Sequence, residues 1–186
     1  LFSIMREISL HILDIVQNSI AAGATRVVIG AEADNNRDLL HIYIKDNGRG
    51  MSPEMIEKVR SPFCTTRTTR KVGLGIPMLV AASEMCEGGV QIRSEPGKGT
   101  EIEATFRLSH IDRMPFGDII STIISLVAAN PELDIRYEQT VNGELFCLDM
   151  ADVRRELGDV PIQSPPVLGW LKDYLNEGIG QIGTIP

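Results

Sequence analysis

The 186-residue sequence predicts an α/β protein, and two observations carry that prediction. Apolar residues recur at helical spacing from Ile4 to about Ala22, from Gly75 to Glu87 and from Phe116 to Ala129, whereas Leu40, Ile42 and Ile44 share one parity, as in a strand buried on one face. Between these segments lie clusters of Gly, Pro, Asn and Asp, so helical and extended patterns alternate, as they do where helices pack on a sheet.

On the first helix Ile8, Leu10, Ile12, Leu13, Ile15, Val16 and Ile20 cover most of the circumference, which predicts a largely buried cylinder, and Gly23 suits its C-terminal cap. Thr25 to Ile29 reads as a strand, Asn35-Asn36-Arg37-Asp38 as a turn, and Leu39 to Lys45 as the next strand. Pro53 to Arg60 predicts a short helix, and Ser61 to Val72 a loop rich in threonine and arginine. The helix from Gly75 precedes two strands, Val90 to Glu95 and Thr100 to Leu108, around the turn Pro96-Gly97-Lys98-Gly99.

After Ser109 an amphipathic helix is followed by a hairpin, Asp134 to Thr140 and Glu144 to Met150, turned at Asn142-Gly143. Pro165-Pro166 introduces a last helix, Val167 to Asn176, holding Trp170, and the glycine-rich end from Gly178 to Gly183 is expected to fray. The expected division is residues 1–109 and a small α/β extension, residues 110–186.

With 43% hydrophobic and 23% charged residues, the chain reads as one domain, or one with an appendage, and can bury roughly 70% of its unfolded surface without disulfides or a structural metal. A net charge of -7 argues against long-range attraction to nucleic acid, so any anion must be held locally. Cys64, Cys86 and Cys147 are far apart and form no Cys-x-x-Cys, which predicts free thiols, a reducing compartment and no zinc site. No apolar run reaches membrane-spanning length and the start carries no signal-peptide pattern, with Met5 a candidate initiator; a soluble, cytoplasmic protein is expected.

Three segments carry chemistry-bearing residues. On the first helix Glu7, His11, Asp14 and Asn18, with Gln17 beside them, form a polar stripe; a solvated face is the plain alternative to a site. Asp14 and Asn18 point the same way, as a proton acceptor and a metal-binding amide oxygen would. In Asp46-Asn47-Gly48-Arg49-Gly50-Met51, Asp46 shares the parity of Leu40, Ile42 and Ile44 and so reaches the core face, where a carboxylate must be paired or meet a ligand donor. Gly48 and Gly50 permit left-handed backbone angles and leave room for a flat ligand, although a capped Asp-Asn-Gly turn explains the same residues. The third segment, Thr65 to Pro77, brings hydroxyls, cations and Gly73-Leu74-Gly75-Ile76 to a helix start, a ready site for phosphate or else a plain surface loop. Neither the P-loop nor the dinucleotide fingerprint fits.

In combination these segments resemble the GHKL nucleotide-binding family of DNA gyrase, heat-shock chaperones, histidine kinases and MutL. Leu13 to Ser19 and Ala22-Gly23-Ala24-Thr25 look like its N box, in the MutL version; Asp46 to Gly50 looks like its G1 box. Pro62 to Arg67 and Gly73-Leu74-Gly75-Ile76 resemble the F and G2 boxes of histidine kinases, and Gly97-Lys98-Gly99-Thr100 completes the pattern. The resemblance spans residues 5 to 109 and implies the Bergerat fold, an α+β two-layer sandwich with a mixed sheet, helices on one face, and ATP between helices and lid.

Carried over by position, it implies that Asp46 accepts the adenine amino hydrogen, with Thr100 joining through water, in a cofactor site that includes Gly48, Gly50 and Met51. Asn18 coordinates Mg²⁺. Gly73, Leu74, Gly75 and Ile76 border the phosphates, and Thr65, Thr66, Arg70 and Lys71 lie in the lid. Asp14 stands where hydrolytic members have Glu, one methylene shorter, and is the candidate catalytic base or water-positioning group. His11 is expected to be structural or to support the site from behind.

The resemblance implies an Mg-ATP-binding domain that hydrolyses ATP slowly or phosphorylates a partner protein. The alternative is a nucleotide-gated interaction module without significant turnover. There is also a similarity to small stand-alone domains associated with iron-only hydrogenase systems; the sequence shows no iron-sulfur ligand set, so such a role would be regulatory. Residues 110–186 show no paired acids, metal spacing or nucleophile, and read either as a docking or regulatory extension or as more core.

Overall fold

The computed structural model describes residues 7–60 and 75–186. Helix α1 (Ile8–Ala21) leads into strands β1 (Arg26–Asp34) and β2 (Leu39–Asp46), and α2 (Pro53–Arg60) and α3 (Gly75–Met85) precede β3 (Gly89–Glu95) and β4 (Gly99–Arg107). Then come α4 (Ile119–Ala129), β5 (Asp134–Val141), β6 (Glu144–Asp149), α5 (Met150–Leu157) and α6 (Pro165–Ile182). The strands form one six-stranded sheet, ordered β3-β4-β2-β1-β5-β6, and it is mixed because β1 and β5 run parallel while the other neighbours are antiparallel.

Register puts every apolar parity on one face. Val27, Ile29 and Ala31 of β1 pair with Asp46, Ile44 and Ile42 of β2 and with Ile135, Tyr137 and Gln139 of β5; Ile102, Ala104 and Phe106 of β4 pair with Ile44, Ile42 and Leu40. Paired residues share a face, so this side forms a single core with Ile12, Ile15 and Val16 of α1, Leu79 of α3, Ile123 and Leu126 of α4, and Leu171 and Leu175 of α6. The opposite face carries Lys45, Arg93, Glu101, Glu103, Arg136 and Glu138 at the alternate positions. The α/β fold with a mixed sheet expected from the sequence is the fold observed.

Elements differ from expectation where a local signal is overruled by packing. Strand β1 continues past Ile29 through Gly30, which alone fits because a Cβ there would lie 1.9 Å from the ring of Tyr43 on the neighbouring strand. Helix α5 was not expected; Asp149 caps it by accepting from the Ala151 N–H (3.0 Å), but at eight residues its period is too short to stand out. Helix α6 does not fray at Asn176. The Phe146 ring packs on its backbone, 2.0 Å from where a Gly178 Cβ would sit, and Leu175 and Ile179 are buried, so tertiary contact overrides two glycines.

Residues 110–186 share the sheet and core of the preceding half. The carbonyls of Pro115 and Phe116 accept the N–H groups of Ile8 (3.0 Å) and Ser9 (2.8 Å), satisfying donors of the first turn of α1. Arg113 Nη1 and the Phe116 N–H both donate to the Pro186 carbonyl, at 2.7 and 3.3 Å.

Candidate functional site

Asp46 closes β2 on the apolar face and is only 9% exposed. Burial of a carboxylate demands donors, and three are present. Ser19 Oγ, on α1, donates to Oδ2 at 2.7 Å; the N–H groups of Gly48 and Thr100 donate to Oδ1 at 2.8 and 3.2 Å. A carboxylate offers about four lone-pair sites, so capacity remains for a ligand donor.

The turn that follows is rigid for a separate reason. Asn47 Oδ1 accepts from the N–H groups of Thr25 and Arg26, both at 2.9 Å, and its Nδ2 donates to Thr25 Oγ1 at 2.8 Å, so Asn47 staples the turn to the start of β1. Of the two glycines expected to take left-handed angles, Gly50 does (φ 68°) and Gly48 does not; Gly48 instead lies close to the Ala22 carbonyl. Met51, half-buried, donates its N–H to Ser94 Oγ at 2.8 Å. Thr100 pairs with Asp46 across β2 and β4, and Ser94 pairs with Thr100 across β3 and β4, so the three side chains share the inner face at one end of the sheet.

The second cluster lies on α1 and the start of α3. Asn18 is exposed and turns its Nδ2 to Asp14 Oδ2 at 3.4 Å, and its amide oxygen has no partner among the described residues. Gly75 opens α3 against the same carboxylate: a Cβ on it would lie 1.9 Å from Asp14 Oδ2. Ile76 beside it is buried. A helix N-terminus favours negative charge, whether from Asp14 or from a phosphate. His11, one turn before Asp14, is 1% exposed, and its Nδ1 has no partner among the described residues; burial holds its pKa below the usual value, with the Gly75 backbone and the Asp14 charge acting in the opposite sense.

Helix α1 joins the clusters, because Asp14 and Asn18 face one and the adjoining Ser19 reaches the other. The structure thus brings Asp14, Asn18, Gly75 and Ile76 to one side of α1 and Asp46, Gly48, Gly50, Met51 and Thr100 to the other. Thr65, Thr66, Arg70, Lys71, Gly73 and Leu74 lie outside the described residues. Sequence reasoning missed Ser19 and Ser94. Ser94 shares the parity of Val90 and Ile92, so its inward position was readable; Ser19 is 27 residues from Asp46 and nothing local announces that contact.

The histidine kinase-, DNA gyrase B- and HSP90-like ATPase family matches residues 3–110. Sensor protein kinase FleS of Pseudomonas aeruginosa is 35% identical over 89 residues, 48% of this chain and 22% of its own length. Sensor protein DegM of a Bacillus species is 31% identical over 91 residues, 49% of this chain and 24% of its own. The chain thus spans about a quarter or less of the length of these relatives. Among solved structures, the N-terminal domain of a DNA repair protein aligns over 78% of this chain and 53% of its own, with a TM-score of 0.54 at 15% identity, a likeness of fold alone.

Proposed function

This chain belongs to the histidine kinase-, DNA gyrase B- and HSP90-like ATPase family, and on that premise we propose that it binds Mg-ATP between α1, the inner end of the sheet and the start of α3. The observation that carries the reading is Asp46, a buried carboxylate held by three donors beside Thr100, with acceptor capacity left for the exocyclic amino group of adenine. Gly75 at the head of α3 lets the helix backbone come close to Asp14, and a helix N-terminus is a favourable place for phosphate oxygens.

The residues present fit a magnesium ion carried by the nucleotide. No group of three or more His, Cys, Asp or Glu able to hold a metal occurs among the described residues, so a cation here would draw its ligands from phosphates, water and the amide oxygen of Asn18, which has no partner among the described residues. Bound there, the ion would supply charge neutralisation on the phosphates. Asp14, hydrogen-bonded by Asn18 and lying against Gly75, is placed to orient a water or an acceptor hydroxyl towards the terminal phosphate. The phosphoryl group passes to water, giving slow hydrolysis, or to a partner protein, as the similarity to sensor kinases suggests. If neither occurs, nucleotide binding serves as a switch for an interaction.

Calorimetry with ADP and a non-hydrolysable ATP analogue tests this. Asp46→Asn turns an N–H towards donors already present, and should weaken ADP binding about tenfold or more, a change of about 1.4 kcal/mol. Asn18→Ala should weaken the Mg²⁺-dependent analogue more than metal-free ADP. Asp14→Asn should leave binding near normal and lower turnover. Undiminished binding by Asp46→Asn would defeat the assignment, and equal turnover in Asp14→Asn would make Asp14 structural.

A further inference from the structure

The Ser94 hydroxyl makes three polar contacts, and together they fix the direction of a fourth group. Ser94 Oγ accepts the Met51 N–H at 2.8 Å, lies 2.7 Å from the Gly99 carbonyl oxygen, and lies 2.9 Å from Thr100 Oγ1. A hydroxyl carries one proton. At 2.7 Å two oxygens without a proton between them repel, and a carbonyl has none to give, so the Ser94 proton sits on the Gly99 contact. The Thr100 contact therefore needs the Thr100 proton, which is then directed at Ser94.

We infer that Ser94 is a positioning residue of the base site, holding the Thr100 hydroxyl in the one orientation that presents its lone pairs to the ligand. This rests on the nucleotide reading above. Asp46 is an acceptor when ionised, and Thr100, with its proton committed, is a second acceptor next to it in register. The polar floor of the site then offers side-chain acceptors to a ligand edge bearing N–H groups, or to a water linking them. Ser94 also joins the turn after β2, through Met51, to the first residue of β4, Gly99, so the acceptors are held in place before a ligand arrives.

A double-mutant cycle separates this role from simple support of the turns. ADP affinity is measured by calorimetry for wild type, Ser94→Ala, Thr100→Val and the double variant, with melting temperatures as a check on folding. Ser94→Ala should weaken ADP binding about fivefold, the worth of one ordinary net hydrogen bond, when Thr100 is present, and change it by less than about twofold in the Thr100→Val background. Ser94→Thr, which keeps the hydroxyl, should bind as wild type does. Equal weakening in both backgrounds, or none in either, would overturn the inference and leave the nucleotide reading intact. Failure of the wild type itself to bind ADP would overturn the nucleotide reading and this inference with it.

Discussion

Strands β2, β3 and β4 deliver polar groups to the inner face of the sheet that keep unused capacity, whereas the polar groups on the same face of β5 close on one another. Asp46 retains lone pairs and Thr100 presents an oxygen, and on α1, which packs on that face, His11 has a nitrogen with no partner among the described residues. Across the sheet, Tyr137 donates to Gln139 Oε1 at 2.6 Å and Gln139 Nε2 donates to the Gly183 carbonyl at 3.2 Å, a chain that ends in backbone. Buried polar atoms in a packing region are consumed within it, and those with capacity to spare mark where something else binds. The first half of the chain keeps polar groups with capacity to spare, and the second closes on the core that both halves share.

The sharpest way to break this comparison is to separate the halves. Removing residues 110–186 takes Ile123, Leu126, Ile135, Tyr137, Leu148, Leu171 and Leu175 from the core and bares one edge of β1. At about 1.5–3 kcal/mol for each large apolar side chain, the loss of about 10–20 kcal/mol is as large as the roughly 5–15 kcal/mol that holds an ordinary domain together. The fragment should show no cooperative melting transition by circular dichroism. A fragment that melts cooperatively and binds ADP would make the second half a separable extension and restore a docking role for it.

Two glycines, one in each half, sharpen the contrast at smaller scale. Gly99 has φ 92°, and a Cβ on it would lie 1.9 Å from the backbone oxygen of Asp46, which cannot move without moving the carboxylate. Gly99→Ala should cost about 2–4 kcal/mol and abolish ADP binding. The Cβ of Gly178→Ala meets the edge of the Phe146 ring, which can turn, and gains up to about 1 kcal/mol of helix propensity, so a smaller net loss of about 1–2 kcal/mol is expected. Urea titrations of both variants give the two values; equal losses would mean that side-chain packing on α6 is as rigid as the backbone at the site.

These glycines also show what the sequence could and could not disclose. Periodicity gave the parity of Leu40 to Asp46 and so the buried carboxylate, because facing in a strand depends only on odd and even positions. It could not give the pairing of β5 with β1, since register between segments more than 100 residues apart has no local signature. Glycine was readable as a turn former at Gly50 and misleading at Gly30 and Gly178, where it leaves room for the rings of Tyr43 and Phe146. The Ser19 contact to Asp46 was hidden for the same long-range reason.

His11 supplies a pH test of the first half. Its folded pKa lies below the ordinary 6.5 because burial opposes the charge, so below that pH the unfolded chain takes up a proton that the folded one resists. Wild-type stability should fall as pH drops through 6.5, by at most about 1.4 kcal/mol per pH unit. His11→Leu removes the proton site and should show a flatter profile over that window. Identical profiles would mean that folding leaves the proton affinity of His11 unchanged, and a wild type that gains on the variant as pH drops would mean that His11 is protonated in the fold, paired with Asp14.

The smallest expected effect lies where the halves touch on the outer face. Tyr43 of β2 extends over Gly30 of β1 and donates to Glu138 of β5, and Arg136 Nε donates to the other oxygen of that carboxylate at 2.6 Å. Burial and the Glu138 contact raise the Tyr43 pKa, and the Tyr43 hydrogen bond, with Arg136, holds Glu138 below its ordinary 4.5. A depressed carboxylate pKa contributes stability that is complete above the unfolded value and lost as pH falls through the folded one. Tyr43→Phe keeps the ring over Gly30 and removes only the donor, so it should cost about 1 kcal/mol at neutral pH. The gap between variant and wild type should narrow below pH 4.5 and vanish below the folded value, where Glu138 is protonated in both. A gap that stays constant down to acid pH would show that the hydroxyl acts through packing, and that the joint between β2 and β5 does not depend on the Glu138 charge.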